Sequence, residues 1–456
     1  MAGKSSTVEV LPEDVLLEIF DFYKLATLSW GWLTLTHVCR RWRCIVFASQ
    51  CRLGLQLLCT YETPVKKTLD CWPTIPIVVR FRPQTLSPED EDSIITALQH
   101  RDRVCEIDLV SQSSLSEKVS HIMQEPFPLL ESLALKSRDC ALALSSTFLG
   151  GSSPRLRVLH LDNIPFPEIP LFLLSASNLV DLQLEKIPSS GYFSPEALVA
   201  GLSSTTHLET LRLVFASPTS HLSPPSSSGR VVFPSLTNLT FRGSCDYSED
   251  FLSRISTPSL QRALIGFFNQ PSLNVLQLAH FLGRTESQRL PDGAELLLHR
   301  DGISLVLTRS EVRPGAPSRT SEWLRLYAFF GQSGLDVVSP MTQICQQISP
   351  FLSNVRNFDI ITHSPENDGD PAQWLGLFRA FSGVEKLHVT WGSVPDIARA
   401  LQLVTAEIAV DTLPALRELK LDWLAARWRE AVCSFIYARS LAGLPAVEFH
   451  QPDISG

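Results

Sequence analysis

A chain of 456 residues is too long for one small core, and its formal net charge of −8 is too mild and of the wrong sign for a nucleic-acid footprint. With 44% hydrophobic and 19% charged residues it reads as a folded protein, and apolar runs such as IPLFLLSA from Ile169 are too short to span a membrane. Neither nucleic acid nor membrane is expected as a partner.

In chain order, residues 1–9 read as a disordered terminus. Pro12 suits the first position of a helix, and Glu13 and Asp14 lie where the positive end of its dipole favours carboxylates. Leu16, Ile19, Phe20 and Tyr23 follow at i, i+3, i+4 and i+7, the spacing of one apolar helix face. Leu35, Val38, Cys39 and Trp42 repeat that pattern in a second helix, extended by Ile45 and Val46, with Arg40, Arg41 and Arg43 on its solvated side. The connector KLATLSWGWLTL fits no tidy middle helix. So short a helical pair cannot bury both faces alone, and its apolar surface has to meet the rest of the chain or a partner.

The order LPEDVLLEIF, connector, HVCRRWR over residues 10–50 resembles an F-box. That resemblance implies docking on the SKP-type adaptor of a cullin-RING ubiquitin ligase through Leu11, Pro12, Leu16, Ile19, Val38, Cys39 and Trp42, with Phe20 and Leu35 of the same apolar stripes as further candidate contacts.

Residues 51–100 read as a linker and first-repeat cap. Beyond them an LxxLxL frame recurs as VCEIDL from Val104, LESLAL from Leu130, LRVLHL from Leu156, LVDLQL from Leu179, LETLRL from Leu208, LTNLTF from Leu236 and LNVLQL from Leu273. It returns as VRNFDI from Val355, VEKLHV from Val384 and LRELKL from Leu416. Spacings mostly near 25–30 residues fit a leucine-rich repeat with long returns. Between the frames lie helix starts: Ser87-Pro88 with the acidic run Glu89 to Asp92, Ser194-Pro195-Glu196, and Asp370-Pro371 with Gln373. Tight turns at Ser153-Pro154, Phe233-Pro234, Gly383 and Leu413-Pro414 lead into the strands. The expected fold class is α/β: a short all-α F-box, then a solenoid over 101–281 whose parallel strands line its concave side.

Two stretches interrupt the array. The run Ser217–Gly229 is rich in Ser and Pro and reads as an inserted flexible loop. Over 282–350 the frame is lost, and Asp301-Gly302 between two apolar runs signals a β-hairpin, with a helix from Met341 to Ile348 restoring the array for the repeats of 351–456. There QWLGLFRAFSGVEKLHV, DTLPALRELKLDWL and FIYARSLAGLPAVEFH resemble the terminal repeats of an F-box group expanded in mushroom-forming fungi, as do HVCRRWRCIVFAS and TPVKKTLDCWPTIPIVV nearer the start.

Catalytic motifs fail on inspection. Gly3-Lys4-Ser5 has too few residues before it to form a phosphate-binding loop, and His299-Arg300-Asp301 lacks the Asn and glycine-rich loop of a kinase. The ten cysteines include no CxxC, and the first ten residues lack a secretory apolar stretch, so free thiols in the cytoplasm or nucleus are expected, without metal or cofactor.

Alternation along the strands sends the frame leucines inward and turns Asp108, His160, Asp162, Asp181, Gln183, Glu185, Arg212, Arg242, Gln277, Asp359, Lys386, His388 and Lys420 to the open face, acidic in the early repeats and more basic later. Of these His160, Asp162, Asp181, Gln183, Glu185, Arg212, Lys386, His388 and Lys420 are the candidate contacts for a protein substrate. The sequence thus points to a non-catalytic adaptor that presents a protein for ubiquitination. Its alternative is an interaction scaffold whose degenerate F-box helices only cap the solenoid.

Overall fold

The computed structural model describes residues 11–26, 31–72, 74–82, 87–139, 142–218, 229–268, 270, 273–284, 290–311, 319–329, 338–362, 370–422 and 426–450. The expected terminus at 1–9 and most of the Ser/Pro-rich run lie outside the described residues. The chain divides into two compact units, Met1–Leu179 and Val180–Gly456.

The first unit opens with helices α1 (Glu13–Ala26), α2 (Gly31–Val38) and α3 (Arg40–Ala48). Strands β1 (Leu57–Cys59), β2 (Ile77–Phe81), β3 (Val104–Ser111), β4 (Ser132–Ser137) and β5 (Val158–Asp162) follow, each parallel to the next. Ser87 caps the helix Pro88–Gln99 through a capping box with Asp90, as the sequence grammar requires.

The second unit holds β6 (Asp181–Ile187), β7 (Thr210–Phe215), β8 (Val231–Val232), β9 (Asn238–Gly243), β10 (Ile255–Ser256), β11 (Arg262–Phe267), β12 (Gly293–Leu298), β13 (Gly302–Glu311), β14 (Arg319–Phe329), β15 (Asn357–Thr362), β16 (Lys386–Val389), β17 (Glu418–Leu421) and β18 (Glu448–His450). Its main sheet runs β6-β7-β9-β11-β14-β13-β12-β15-β16-β17-β18, while β8 and β10 form a separate parallel pair. The predicted hairpin is β12–β13, and a third strand, β14, pairs antiparallel with β13. Because β14 then runs parallel to β11, and β12 parallel to β15, the insertion returns the sheet to its original direction on both sides.

Each regular strand is entered by the same device. The first residue of the frame is buried and closes a tight turn by donating its N–H to the carbonyl three residues back, as at Leu130, Leu156, Leu236, Val384 and Leu416. Proline often stands second in that turn, where its fixed φ is already correct: Pro154, Pro234, Pro258 and Pro414. The next residue donates to the neighbouring repeat, Arg157 to Glu131, Thr237 to Glu209 and Arg417 to Glu385. Within the strands, buried and partly exposed residues then alternate, so one face is covered and the other open.

One frame reading is corrected, and one repeat strand carries no such frame. LNVLQL from Leu273 is not a strand; Leu276–Arg284 is a helix, whose N-terminal N–H groups at Gln277 and Leu278 donate to the Glu249 carboxylate while Gln343 and Gln347 take up the N–H groups of Leu273 and Val275. The repeat strand at that point is β11, where LQRALI carries Ala263 at the frame's second leucine.

A buried arginine plugs the last such turn. Arg439, on the helix Ala426–Leu441, donates to the carbonyls of Leu413 at 2.8 Å, Leu416 at 2.9 Å and Pro414 at 3.2 Å, and burial lowers its pKa to about 10. Gly383 serves the equivalent turn before β16 by leaving room for the Ser353 carbonyl of the preceding repeat, on which a Cβ would collide. Gly383→Ala is therefore expected to destabilise the chain by about 1–3 kcal/mol, through forced displacement of packed backbone. Ser382→Ala, one exposed residue earlier, should leave the urea midpoint unchanged.

Candidate functional site

The N-terminal helices divide their apolar residues between two faces. Leu16, Leu17 and Phe20 of α1 are buried with Leu35 of α2 and Ile45 and Val46 of α3, and the Phe20 ring meets Trp42 at 4.8 Å. A different stripe remains open: Val15 and Ile19 are each 42% exposed and Phe22 is 72% exposed, at i, i+4 and i+7 of α1, and Val38 at the end of α2 is 55% exposed. Of the nine residues singled out as adaptor contacts, Leu16, Phe20 and Leu35 are thus interior, Leu11 and Trp42 are half-buried, and Pro12, Ile19, Val38 and Cys39 are exposed. Val15 and Phe22 escaped the sequence reading because α1 is apolar around more than half its circumference, and periodicity alone does not say which stripe faces inward.

The connector does contain a helix, against expectation. Trp32 sets it: its ring is buried, meets Trp72 at 5.8 Å and Phe47 at 6.2 Å, and its Nε1–H donates to the Gln56 carbonyl at 3.1 Å. The predicted second helix is two, because Cys39 is extended (φ −158°, ψ 171°) and its Sγ accepts the Trp42 N–H as the N-cap of α3. Nor is the arginine run simply solvated. Arg43 Nε donates to the Thr36 carbonyl at 2.9 Å near the end of α2, and Arg41 donates to the Leu11 carbonyl at 2.6 Å, tying α3 to both preceding segments.

On the open strand faces the candidate substrate residues sit where alternation puts them, but their charges are matched across strands. In the first unit Arg80 pairs with Glu106 at 2.8 Å, Arg82 with Asp108 at 2.6 Å and Lys136 with Asp162 at 2.8 Å, and half-buried His160 stands one alternation before Asp162. In the second unit Gln183 donates to Asp181 at 3.1 Å, Arg212 pairs with Glu185 at 2.7 Å and Lys386 with Glu418 at 2.7 Å, while Lys420 is exposed. His388 lies between Asp422 at 2.7 Å and Asp359 at 3.3 Å. The hydrogen bond with Glu418 raises the Lys386 pKa and lowers that of Glu418. The expected drift from acidic to basic repeats is thereby corrected, since most of these acids face a base on the adjacent strand. Gln277 is removed from the face, because it lies on a helix.

Among the described residues no group of three or more His, Cys, Asp and Glu side chains is placed to hold a metal ion, and no helix is long and apolar enough to cross a membrane. Nine described cysteines are free thiols.

Residues 8–50 match the F-box-like family. The N-terminal helical segment is an F-box-like domain. No curated protein matches the chain in sequence. Among solved structures it is similar to the TLR13–ssRNA13 complex, at 13% identity and a TM-score of 0.31 over 87% of this chain and 50% of that one. It is also similar to the leucine-rich repeat-containing protein LegL7 from Legionella pneumophila, at 12% identity and a TM-score of 0.25 over 85% of this chain and 98% of that one. The chain thus spans half the length of the first of these, and at such scores neither likeness bears on function.

The two stripes of the F-box-like domain should separate in stability. Ile19→Ser with Phe22→Ser is expected to move the unfolding free energy by about 0.5 kcal/mol or less per site, whereas Phe20→Ala should cost roughly 3–5 kcal/mol through a core cavity. Urea titrations of the three chains, followed by tryptophan fluorescence, read the difference.

Proposed function

We propose that this chain is a substrate-recognition adaptor of an SCF-type cullin-RING ubiquitin ligase: its F-box-like domain docks an SKP-type adaptor, and its repeats hold a protein substrate while other subunits perform the transfer. The carrying observation is the open stripe Val15, Ile19 and Phe22 with Val38, four exposed apolar side chains in a domain of about forty residues that matches the F-box-like family. Burying such a side chain against a partner is worth on the order of 1.5–3 kcal/mol. The exposed Pro12 and Cys39, and the half-buried Leu11 and Trp42, would form its surround. Substrate contact is assigned to the open strand faces, including His160, Asp162, Asp181, Gln183, Glu185, Arg212, Lys386, His388 and Lys420. Free thiols at exposed Cys44, Cys51 and Cys71 suit the cytoplasm or nucleus.

A second reading also rests on an observation. Trp32 joins the F-box-like domain to the first repeat through Trp72 and the Gln56 carbonyl, as a cap would. A pure scaffold of this kind needs no adaptor.

Ile19→Asp with Phe22→Asp and Val38→Asp is expected to abolish co-purification with an SKP-type adaptor while the chain keeps its thermal midpoint. Absence of adaptor binding by the unaltered chain decides for the scaffold, and adaptor binding that survives the triple substitution removes the open stripe as the docking surface.

A further inference from the structure

Charged groups on the open strand face of the second unit are largely neutralised in pairs, and Arg242 departs from that pattern. Arg212 has Glu185, and Arg262 and Arg325 share Glu322. Arg242, on β9, has no hydrogen bond or ion pair among the described residues, and its Nε is buried without a partner. It is held by carbon instead. The guanidinium lies 3.6 Å from the centroid of the Phe329 ring and 5.5 Å from that of Phe268.

Backbone register explains how it comes to be there. Arg242, Gly266 and Tyr327 are partners across β9, β11 and β14, so Gly266 lies between the cation and the aromatic strand. A Cβ on Gly266 would press on the Phe329 ring at 3.1 Å, and one on Gly302 would strike both the Ala328 carbonyl and the Tyr327 ring. These two glycines let Tyr327 and Phe329 lie against the sheet, their centroids 3.9 Å apart, with His299 stacked on Tyr327 at 5.9 Å. The Tyr327 hydroxyl donates to Asp301 at the hairpin tip at 3.0 Å, which fixes the far end of the ledge. The result is a half-buried aromatic shelf bearing a cation that no carboxylate among the described residues hydrogen-bonds, with the Asp301 carboxylate acting on it only through space.

We propose that Arg242, Phe268, Tyr327 and Phe329 form a recognition pocket for an acidic peptide segment of the substrate: a single Asp or Glu carboxylate on the Arg242 guanidinium, and an adjacent apolar side chain on the Tyr327–Phe329 shelf. This rests on the substrate-binding half of the proposed function. Charge decides the ligand class. The planar fork of an arginine matches a carboxylate in bidentate geometry. A phosphate dianion calls for more than one cation, whereas here the neighbouring Arg262 and Arg325 are committed to Glu322 and the Asp301 carboxylate closes the shelf. A monoanion is the better fit.

The probe is a phage-displayed library of unmodified twelve-residue peptides, selected on the full chain and counter-selected on the Arg242→Gln chain. An enriched peptide is then synthesised in three forms, with its acidic residue as Glu, Gln or phosphoserine, and titrated by fluorescence anisotropy. Expected are peptides pairing an acidic with an apolar or aromatic residue, and a loss of about 10- to 100-fold for Arg242→Gln and for the Gln peptide alike, the worth of one charge-assisted contact. Arg242→Lys, which keeps the charge but loses the fork, should lose most of the binding, and Arg379→Gln, at an exposed site on the helix Pro371–Arg379, none of it. The Gln peptide gives the same readout without altering the protein, so a poorly folded variant does not obscure the result. Enrichment that ignores Arg242, no enrichment at all, or phosphoserine binding more tightly than Glu would overturn the proposal. Adaptor co-purification by Arg242→Gln should be unchanged, so failure of this pocket and failure of the F-box reading are told apart.

Discussion

The structure depends on a backbone constraint that recurs along the chain: the regular repeat strands are preceded by a turn whose last residue is buried and whose successor donates to the previous repeat. Glu131 to Cys105, Gln261 to Thr237 and Glu385 to Arg356 are instances at widely separated points. The turn and the leucine do different jobs. Burial of Leu130 or Leu416 anchors the turn to the core, while the N–H of the following residue extends the ladder before the strand begins. Side chains of many kinds are then tolerated on the open face, because register is already set.

That division of labour accounts for what the sequence reveals. Nine of the ten LxxLxL frames read from the sequence correspond to strands, since leucine at two alternate positions and proline in the turn carry the signal directly. The frame at Leu273 failed for a reason no local window holds: Glu249, Gln343 and Gln347, far away in sequence, supply the groups that end one strand path and start a helix. Strand β11 was hidden because Ala263 replaces the expected leucine without leaving the core. Strand β14 was missed although Pro314-Gly315, between β13 and β14, is itself a turn signal.

The insertion also shows why a parallel array accepts an odd number of extra strands more readily than a hairpin alone. A lone hairpin ends on a strand of reversed direction, and the next parallel repeat would then have no matching neighbour. With β12, β13 and β14 the reversed strand is enclosed, and both flanks present the direction that β11 and β15 require. The tip of that hairpin, at Asp301 and Gly302, is what brings Tyr327 under its hydroxyl partner, so that Asp301 bonds the tyrosine while Arg242 stacks on rings and feels that carboxylate only through space. An interruption of the repeat thus produces the one place on this face where the usual pairing of acid and base is replaced by aromatic contacts, among the residues described.

The F-box-like domain poses the opposite problem of legibility. Its motif was evident from LPEDVLLEIF and HVCRRWR, yet the division of α1 into an inner stripe at Leu16 and Phe20 and an outer one at Val15, Ile19 and Phe22 was not, since both obey helical spacing. What separates them is the position of α2 and α3, fixed by Trp32 in its slot beside Trp72 and by Arg41 and Arg43 on the Leu11 and Thr36 carbonyls. Those arginines look like surface charges in the sequence and act as struts in the fold. The outer stripe is consequently displayed by a packed scaffold, so in the proposed docking its backbone would already be in place and less ordering entropy would oppose association.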